Sequence, residues 1–499
     1  MPTEIPLAMG VHADSGERLA GIDEEALESF SGQSAEMQVS DEVDAKSKSH
    51  LGTDDDVEDH TKLDQTGWAI IFGASIGDDV KKQLEPLIEH RRRQVYPRRQ
   101  VGNDRLFQIF SGADSYQVGE GAEPGEPVVW ENEVKHWLAK NGKNIAMNEV
   151  DPKKGVPYYV MIVASPDEIP FEFQYWLDLY WAVGRLWFPA ADEYGIYARS
   201  VVDYETASSV ATSRQMAIFA PRNGEDHAMG LFTDNMARPM MAPTETKPPF
   251  GSVQNFRLRP FLGDPATTET LEDIWRGKVK DGPPAVVFTG SHGMVFFAGD
   301  ERQAAQQGAI VCNEWRGKDP PKRSHYYAAE DLPSDARVHG MIPFVFNCFG
   351  AGWPRNDTFG RTSKRPAKLA EGPMLARLPQ ALLSHKGGGA LAVLGHVDRA
   401  WSYSYRSSKL GPQIEGFRTL MNRLMAGECI GHATDKLNQR WSVLSAGIAE
   451  DLQRKDNGLP VDLDALKSKW VARDDARNYI VFGDPAVRLR VADMPVLSE

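Results

Sequence analysis

The sequence predicts an α/β protein with mostly parallel sheets flanked by helices. Its apolar runs are continuous rather than alternating, as in residues 285–293 (AVVFTGSHG) and 341–348 (MIPFVFNC). Strands that are covered on both faces of a parallel sheet have this pattern. Helical patterns with one apolar face separate the runs. The 499 residues are 41% hydrophobic and 25% charged, which excludes collagen-like, coiled-coil and wholly disordered classes.

A first α/β unit is predicted at residues 66–215. It opens with the apolar run WAIIFGAS at 68–75, and a helical pattern (VKKQLEPLIEHRRR) follows directly. Further strands are predicted at 106–110 and 158–165, and a helix with one apolar face at 127–140. The glycine-rich turn after the first strand lacks the spacing of a nucleotide-binding loop, so no nucleotide cofactor is expected.

A second α/β unit is predicted at residues 216–492. A stretch rich in Pro and Met at 237–251 precedes most of its strands and is typical of a loop. Two helices with an apolar face are predicted at 372–385 and 414–427. The predicted strands are 216–221, 285–293, 308–312, 341–348, 387–396 and 478–489.

The first 65 residues carry nearly all of the excess charge. They hold 17 of the 70 acidic residues but only 4 of the 56 basic ones, and Phe30 is their only aromatic residue. A segment of this composition cannot bury enough apolar surface to offset chain entropy, so we expect residues 1–65 to be disordered. They would be either a solvating tail or a removable or regulatory pro-segment. The nearly neutral remainder argues against nucleic acid as the main partner.

Composition also indicates the cellular environment. No run approaches the ~20 apolar residues that span a bilayer, so no membrane partner is expected. The N-terminus has neither the basic start nor the apolar run of a secretory signal. Three cysteines are too few for a disulfide framework, and none form a zinc-type pair. The sequence therefore predicts a cytoplasmic protein with no metal and no cofactor.

Two predicted strands end at side chains that can carry out chemistry. In open α/β sheets, ligands bind beyond the carboxyl ends of the strands. One such end leaves His292 before Gly293, and another leaves Cys348 before a flexible turn. An imidazole can assist a thiol nucleophile, and glycine lets a peptide approach closely enough for a backbone N–H to stabilise an oxyanion. Alone, each residue is more often part of the core; together they favour a Cys–His pair.

Other residues compete for these two roles. Cys312 also ends an apolar run, but Glu314 follows it, and a neighbouring carboxylate raises the pKa of a thiol. We therefore predict that Cys312 is structural. His396 follows a strong strand but comes after the candidate nucleophile in the chain. The remaining competitors of His292 are His325, His339 and His385.

The order of these motifs resembles that of the caspase/gingipain clan of cysteine peptidases. In that clan an apolar block ends in His-Gly, and a later apolar block ends in the nucleophilic Cys, as VVFTGSHG and FVFNC do here. The match is closest to the gingipain-like family. Residues 158–188 and 198–205 resemble its first subdomain, and GDPAVRL at 483–489 is similar to a strand shared with CHAT-type members. The resemblance spans about residues 66–490 and implies a caspase-like fold and peptide-bond hydrolysis.

The resemblance also implies roles for individual residues. Cys348 matches the nucleophile and His292 the general acid/base. Glu172, which follows the Ile-Pro turn, matches an acid that orients the imidazole. Asp178 matches an acid near the specificity pocket, where a carboxylate would favour Arg or Lys before the scissile bond. Alternatively, Glu172 and Asp178 are solvated surface acids.

Substrate contacts are implied for Gly293 and for the segment around Trp401. Residues 395–405 lie where the clan lines its substrate groove, so Trp401 would form a wall and the local backbone would pair with substrate as an added strand. Alternatively, Trp401 belongs to a packed aromatic cluster.

Three functions are compatible with the sequence. The first is a cysteine endopeptidase that acts on proteins or peptides and is restrained by a regulatory partner or a closed site. The second is a catalytically inactive caspase-fold interaction module, in which the thiol and the imidazole would lie far apart. The third is a thiol-dependent hydrolase of small molecules, which would have a deep closed pocket instead of a groove.

Overall fold

The structure is a computed structural model that describes residues 7–19, 53, 57–97, 105–122, 128–142, 150–243, 248–359, 368–407 and 411–497. The strands are β1 (Gly10–His12), β2 (Trp68–Phe72), β3 (Phe107–Phe110), β4 (Tyr159–Val163), β5 (Ala182–Leu186), β6 (Ser213–Ala220), β7 (Arg257–Leu262), β8 (Pro284–Gly290), β9 (Gly293–Val295), β10 (Ile310–Val311), β11 (Tyr326–Tyr327), β12 (Ile342–Phe346), β13 (Gly352–Trp353), β14 (Met374–Leu375), β15 (Ala392–His396), β16 (Arg406–Ser407), β17 (Gly411–Pro412) and β18 (Tyr479–Gly483). The helices are α1 (Leu63–Thr66), α2 (Asp78–Val95), α3 (Trp130–Gly142), α4 (Phe171–Leu177), α5 (Ala191–Thr206), α6 (His227–Phe232), α7 (Arg238–Met241), α8 (Thr268–Trp275), α9 (Gln303–Gln306), α10 (Arg377–Leu383), α11 (Glu415–Ala426), α12 (Ile430–Ala433), α13 (Asp435–Asp456) and α14 (Leu463–Arg477).

Ten of the described strands form one sheet, in the order β3-β2-β4-β5-β18-β15-β12-β8-β6-β7. Every neighbouring pair in it is parallel except β18 with β15. The sheet therefore consists of two parallel blocks that run in opposite directions. The predicted α/β class with mostly parallel strands is confirmed. The block of β3, β2, β4 and β5 also contains β18 from the end of the chain, so strands of both predicted units, 66–215 and 216–492, share it.

The central strands are buried along their whole length, as their continuous apolar runs predict. Every residue of β2, β4, β12, β15 and β18 is buried. Helix α2 packs against α5, and α13 packs against α14. The run GAIVC is an exception, because its residues Ile310–Val311 form β10 in a separate four-stranded sheet. There β10 pairs antiparallel with β9 and β11. An apolar run of this length fits either sheet, so the sequence did not show that β10 lies outside the main one.

Part of the N-terminal region does not fit the expectation of disorder. Within residues 7–19, Ala8, Met9 and Val11 are buried, and β1 pairs in parallel with β9. Residues 57–66 are also described and include α1. The prediction for 1–65 averaged the charge over the whole region and so overlooked a short apolar stretch that finds a partner strand. The remaining residues of 1–65 lie outside the described residues.

Two further features bear on the expectations from composition. None of the helices in the described ranges is both long and apolar enough to cross a membrane. In those same ranges, no group of three or more His, Cys, Asp or Glu side chains is arranged to hold a metal ion.

A buried ion cluster links the end of β18 to other elements of the same half of the sheet. Asp484, directly after β18, accepts hydrogen bonds from Trp68 Nε1 at 3.1 Å and Arg91 Nε at 2.7 Å. Arg91 also donates to Glu205 at 2.7 Å. Burial lowers the pKa of Arg91, but the charges of the two carboxylates outweigh this and raise it above its ordinary value. The cluster thus connects the end of the last strand to β2, α2 and α5.

Replacing Arg91 by Leu should destabilise the fold strongly. The change leaves two buried carboxylates without their cation, and such a loss costs about 3–5 kcal/mol of unfolding free energy. Urea unfolding followed by circular dichroism measures it. The control is Arg93→Leu, an exposed position on the same helix that should change stability by less than about 0.5 kcal/mol. Equal stability of the two variants would show that the cluster does not stabilise the fold.

Candidate active site

The pairing of β8 with β12 places His292 beside Cys348. The two strands are parallel and in register, with Gly290 opposite Phe346. His292 and Cys348 each lie two residues beyond that pair, at the same edge of the sheet, and neighbouring strands are about 4.8 Å apart. A Cβ atom on Gly293 would lie 2.0 Å from the carbonyl oxygen of Cys348, so only glycine fits there. The register therefore places the two predicted residues on adjacent strands at the same edge of the sheet.

Asp226 is the carboxylate that holds His292. Its Oδ2 lies 3.1 Å from His292 Nε2, and both side chains are fully buried. Burial raises the pKa of Asp226, but His292, the Met229 amide and Arg18 outweigh it and hold the pKa well below its usual range. The ionised carboxylate therefore accepts the Nε2 proton. His292 Nδ1 has no hydrogen-bond partner among the described residues and is left for proton exchange.

The prediction that Glu172 orients His292 is wrong. Glu172 lies in the first turn of α4, beside a surface pocket that Asp167 and Arg355 also line. The only carboxylate on the imidazole is Asp226, among the residues that the structure describes. Asp226 follows β6, which is the neighbour of β8 in the sheet. The signal in the sequence was an acid just after a predicted strand, but only the sheet order shows that this strand lies next to the one that carries His292.

Cys348 lies in a tight turn at the end of β12. The next residue, Phe349, has a φ of 60°, a left-handed conformation that is uncommon for a residue with a side chain. The turn is held by the Phe349 N–H, which donates to the Asp398 carbonyl at 2.7 Å. Cys348 Sγ is fully buried, 3.7 Å from the Ala400 carbonyl oxygen. Burial raises the pKa of the thiol well above its ordinary value, and backbone hydrogen bonding at Ala400 and the charge of Arg399 only partly offset this.

Two backbone amides beside this pair bind one carbonyl oxygen. The N–H groups of Gly293 and Cys348 donate to the carbonyl of Met9 at 2.9 and 3.0 Å. Two converging donors of this kind form an oxyanion hole when they face the carbonyl that is attacked. The Met9 N–H donates to the Ala400 carbonyl at 2.9 Å, and Ser402 N–H to Leu7 at 3.2 Å. A peptide thus crosses the Cys–His pair as an added strand.

The same N-terminal segment (residues 7–19) continues past Cys348 and folds back. After Met9, Gly10 pairs with Gly293 in the parallel ladder of β1 and β9. The segment then turns, and Arg18 Nε donates to Asp226 Oδ2 at 2.5 Å. Neither Met9 nor Arg18 was among the residues that the sequence singled out, because this region was expected to be disordered.

Trp401 lies at the site, whereas Asp178 does not. The backbone of Trp401 bridges to Ala8, and its ring packs on Phe359 with the centroids 5.2 Å apart. The Asp178 carboxylate accepts a hydrogen bond from the Val183 amide of β5 at 3.0 Å. Since β18 and β15 separate β5 from β12, Asp178 belongs to the other half of the sheet. Burial raises its pKa well above the ordinary value.

The competing residues have structural partners. His396 is buried, with Nε2 3.0 Å from the Asp475 carbonyl and Nδ1 3.4 Å from the Asp398 carbonyl. Burial, and then the charge of Glu314, raises the pKa of Cys312. All three cysteines are buried and form no disulfide.

Comparison with known proteins gives distant likenesses. No family model matches the chain, and no curated protein matches it. A solved structure described as "Structure of Protease" is 10% identical over 85% of this chain and 78% of its own, with a TM-score of 0.45. The complex of the pro- and mature domains of Porphyromonas gingivalis RgpB is 11% identical over 85% and 80%, with a TM-score of 0.42. The separase–securin complex of Saccharomyces cerevisiae is 11% identical over 66% and 15%, with a TM-score of 0.30. These values are low, so the geometry of the site has to support any functional proposal.

The burial of Cys348 predicts slow alkylation in the native chain. Its thiol should react with iodoacetamide more slowly than in the urea-unfolded chain at neutral pH. Its rate should still be rising above about pH 9, because the unfolded thiol has a pKa of about 8.5 and the folded one is higher. Mass spectrometry of the cysteine peptides measures both rates. Cys429, whose pKa burial raises to about 11, is the internal reference. Equal rates in native and unfolded chains would contradict a closed, protonated thiol.

Proposed function

We propose that this chain is a cysteine endopeptidase with Cys348 as nucleophile and His292 as general acid/base. One observation supports it above all: the Met9 carbonyl is held by the amides of Gly293 and Cys348. A thiol peptidase must present a peptide carbonyl to the sulfur with its oxygen facing hydrogen-bond donors. A peptide in this chain already fulfils that requirement, at motifs that resemble those of the caspase/gingipain clan.

The proposed reaction uses each group in turn. Asp226 holds His292 through Nε2, and Nδ1 accepts the proton of the Cys348 thiol. The thiolate attacks the carbonyl carbon, and the oxyanion is stabilised by the two amides. The C–N bond then breaks as His292 gives its proton to the leaving amine, which leaves a thioester on Cys348. Water, deprotonated by His292, attacks the thioester, and the thiol takes back the proton as the acid product leaves.

The substrate class follows from the backbone pairing at the site. The backbone of residues 400–402 pairs with an extended peptide on one side, and β9 pairs with it on the other. Main-chain pairing of this kind selects peptides and proteins over small molecules. The preference for a basic residue before the scissile bond finds no support in the contacts of Asp178, which bonds to Val183. The three unpaired cysteines are compatible with the predicted cytoplasmic location.

Replacing Cys348 should abolish peptide cleavage. We expect Cys348→Ala to lose all thiol-dependent hydrolysis, while Cys312→Ala, a matched change at another buried cysteine, retains it. Cleavage of a peptide library is followed by mass spectrometry. Each variant is assayed in the wild-type chain and with Gly10→Val, since a side chain at Gly10 would lie 3.1 Å from Cys348 Cβ and should displace the bound segment. Equal cleavage by the two cysteine variants would refute the nucleophile, and no cleavage by any chain would favour the inactive interaction module.

Replacing Asp226 by Asn tests how His292 is held. Asn can still accept the Met229 hydrogen bond that caps α6, so the helix start should be preserved. It cannot stabilise the imidazolium, and we expect kcat/KM to fall by about 10²–10⁴-fold. The control is Asp234→Asn, an exposed acid in the next helical turn whose partner is Arg238. The value of kcat/KM is measured for each chain on a library peptide that the wild type cleaves. An unchanged kcat/KM in Asp226→Asn would rule out a positioning role for Asp226.

A further inference from the structure

The N-terminal segment lies in the site in the register of a bound substrate. Its Met9 carbonyl lies in the donor pair of Gly293 and Cys348, so the Met9–Gly10 bond is the one aligned with the thiol. Residues before this bond pair with 400–402, and residues after it pair with β9. The chain itself therefore shows which side chains the two positions flanking a scissile bond accept.

We propose, on the basis of the peptidase function above, that the enzyme selects an apolar residue before the scissile bond and a small residue after it, and that residues 7–19 inhibit it by presenting such a sequence. The position before the bond is apolar. Met9 is fully buried. Two described acids of the turns around the thiol have partners, Asp398 in Thr358 and Asp357 in Arg399. A basic side chain would have to compete with these partners for the two carboxylates, whereas an apolar one would not.

The position after the bond is crowded for any side chain larger than that of glycine. A Cβ atom on Gly10 would lie 2.6 Å from Leu19 Cδ1 and 3.1 Å from Cys348 Cβ. Gly10 does not have a positive φ, so the restriction is one of space and not of backbone conformation. In a free substrate, which lacks Leu19, the contact with Cys348 still favours a small residue.

A hairpin holds the segment in place. The N–H of His12 donates to Glu17 at 2.8 Å, and the N–H of Leu19 donates to Gly10 at 3.0 Å. This turn carries Arg18 to the same oxygen of Asp226 that binds His292. Because the segment belongs to the same chain, its binding is intramolecular and independent of protein concentration, so it competes directly with free peptides.

The first measurement asks whether the segment covers Cys348. Full-length wild type, Gly10→Val and Glu17→Val are alkylated with iodoacetamide at neutral pH, and mass spectrometry follows Cys348 with Cys312 and Cys429 as internal references. Overpacking at Gly10 should raise the Cys348 rate by on the order of tenfold or more, while the exposed Glu17 position should leave it unchanged. Equal Cys348 rates in wild type and Gly10→Val would show that the segment does not cover this thiol.

Arg18→Ala is a second way to open the site. If Gly10→Val unfolds the chain, all three cysteines will react together, and the Arg18→Ala chain then decides. It removes the ion pair with Asp226 and should raise the rate at Cys348 alone. An unchanged Cys348 rate in a folded Arg18→Ala chain would also show that the segment does not cover this thiol.

The second measurement tests the selectivity of the opened enzyme. Peptides of sequence Leu-Ala-X-Gly-Val-His, with X as Met, Arg or Asp, are assayed with the Gly10→Val chain. We expect kcat/KM for Met to exceed that for Arg and Asp by about tenfold or more. Equal or better cleavage of the Arg peptide would overturn the selectivity. If Cys348 becomes reactive in Gly10→Val but no peptide is cut, the peptidase function is refuted, while the conclusion that the segment covers Cys348 is retained.

Discussion

The in-register pairing of β8 with β12 is the constraint on which the site depends. Side chains alternate between the faces of a strand, so a slip of one residue would send either His292 or Cys348 to the wrong side. Packing fixes this register from two directions. A Cβ atom on Gly290 would collide with the Phe232 ring, at 2.0 Å from Cζ, and one on Gly293 would collide with the Cys348 carbonyl. The glycines at this edge thus allow the close approach of the two backbones that places the amides of Gly293 and Cys348 on one carbonyl oxygen.

Asp226 links this geometry to the N-terminal segment. Its carboxylate caps α6 through Met229, holds His292 and binds Arg18. The same acid therefore positions the proposed general base and anchors the peptide that lies over it. In this closed arrangement His292 Nδ1 is buried without a hydrogen bond, a costly state for a polar atom. An unpaired nitrogen at this position is what the proposed proton transfer requires.

The sequence was sufficient to predict a candidate site residue where that residue directly follows its own strand. His292 and Cys348 each end a continuous apolar run, and both the strand and the residue can be read locally. Asp226 could not be found in that way, because its partner lies 66 residues away and the contact exists only because β6 lies beside β8. Glu172 failed for the complementary reason: a motif placed it by analogy, but the imidazole bonds to Asp226 instead. The N-terminal segment was missed because an average over 65 residues conceals a few apolar ones.

Closure of the site and the protonation of its thiol are coupled. Burial under the segment raises the pKa of Cys348 above the value of about 8.5 expected for a thiol in water. The closed state therefore binds this proton more tightly than the open state. As the pH rises through the open-state pKa, the open chain releases the proton while the closed chain retains it, so the free energy that favours closure falls. The closed segment is thus most stable over a neutral thiol. In the proposed mechanism, inhibition by the segment and protonation of the nucleophile would therefore follow from the same burial.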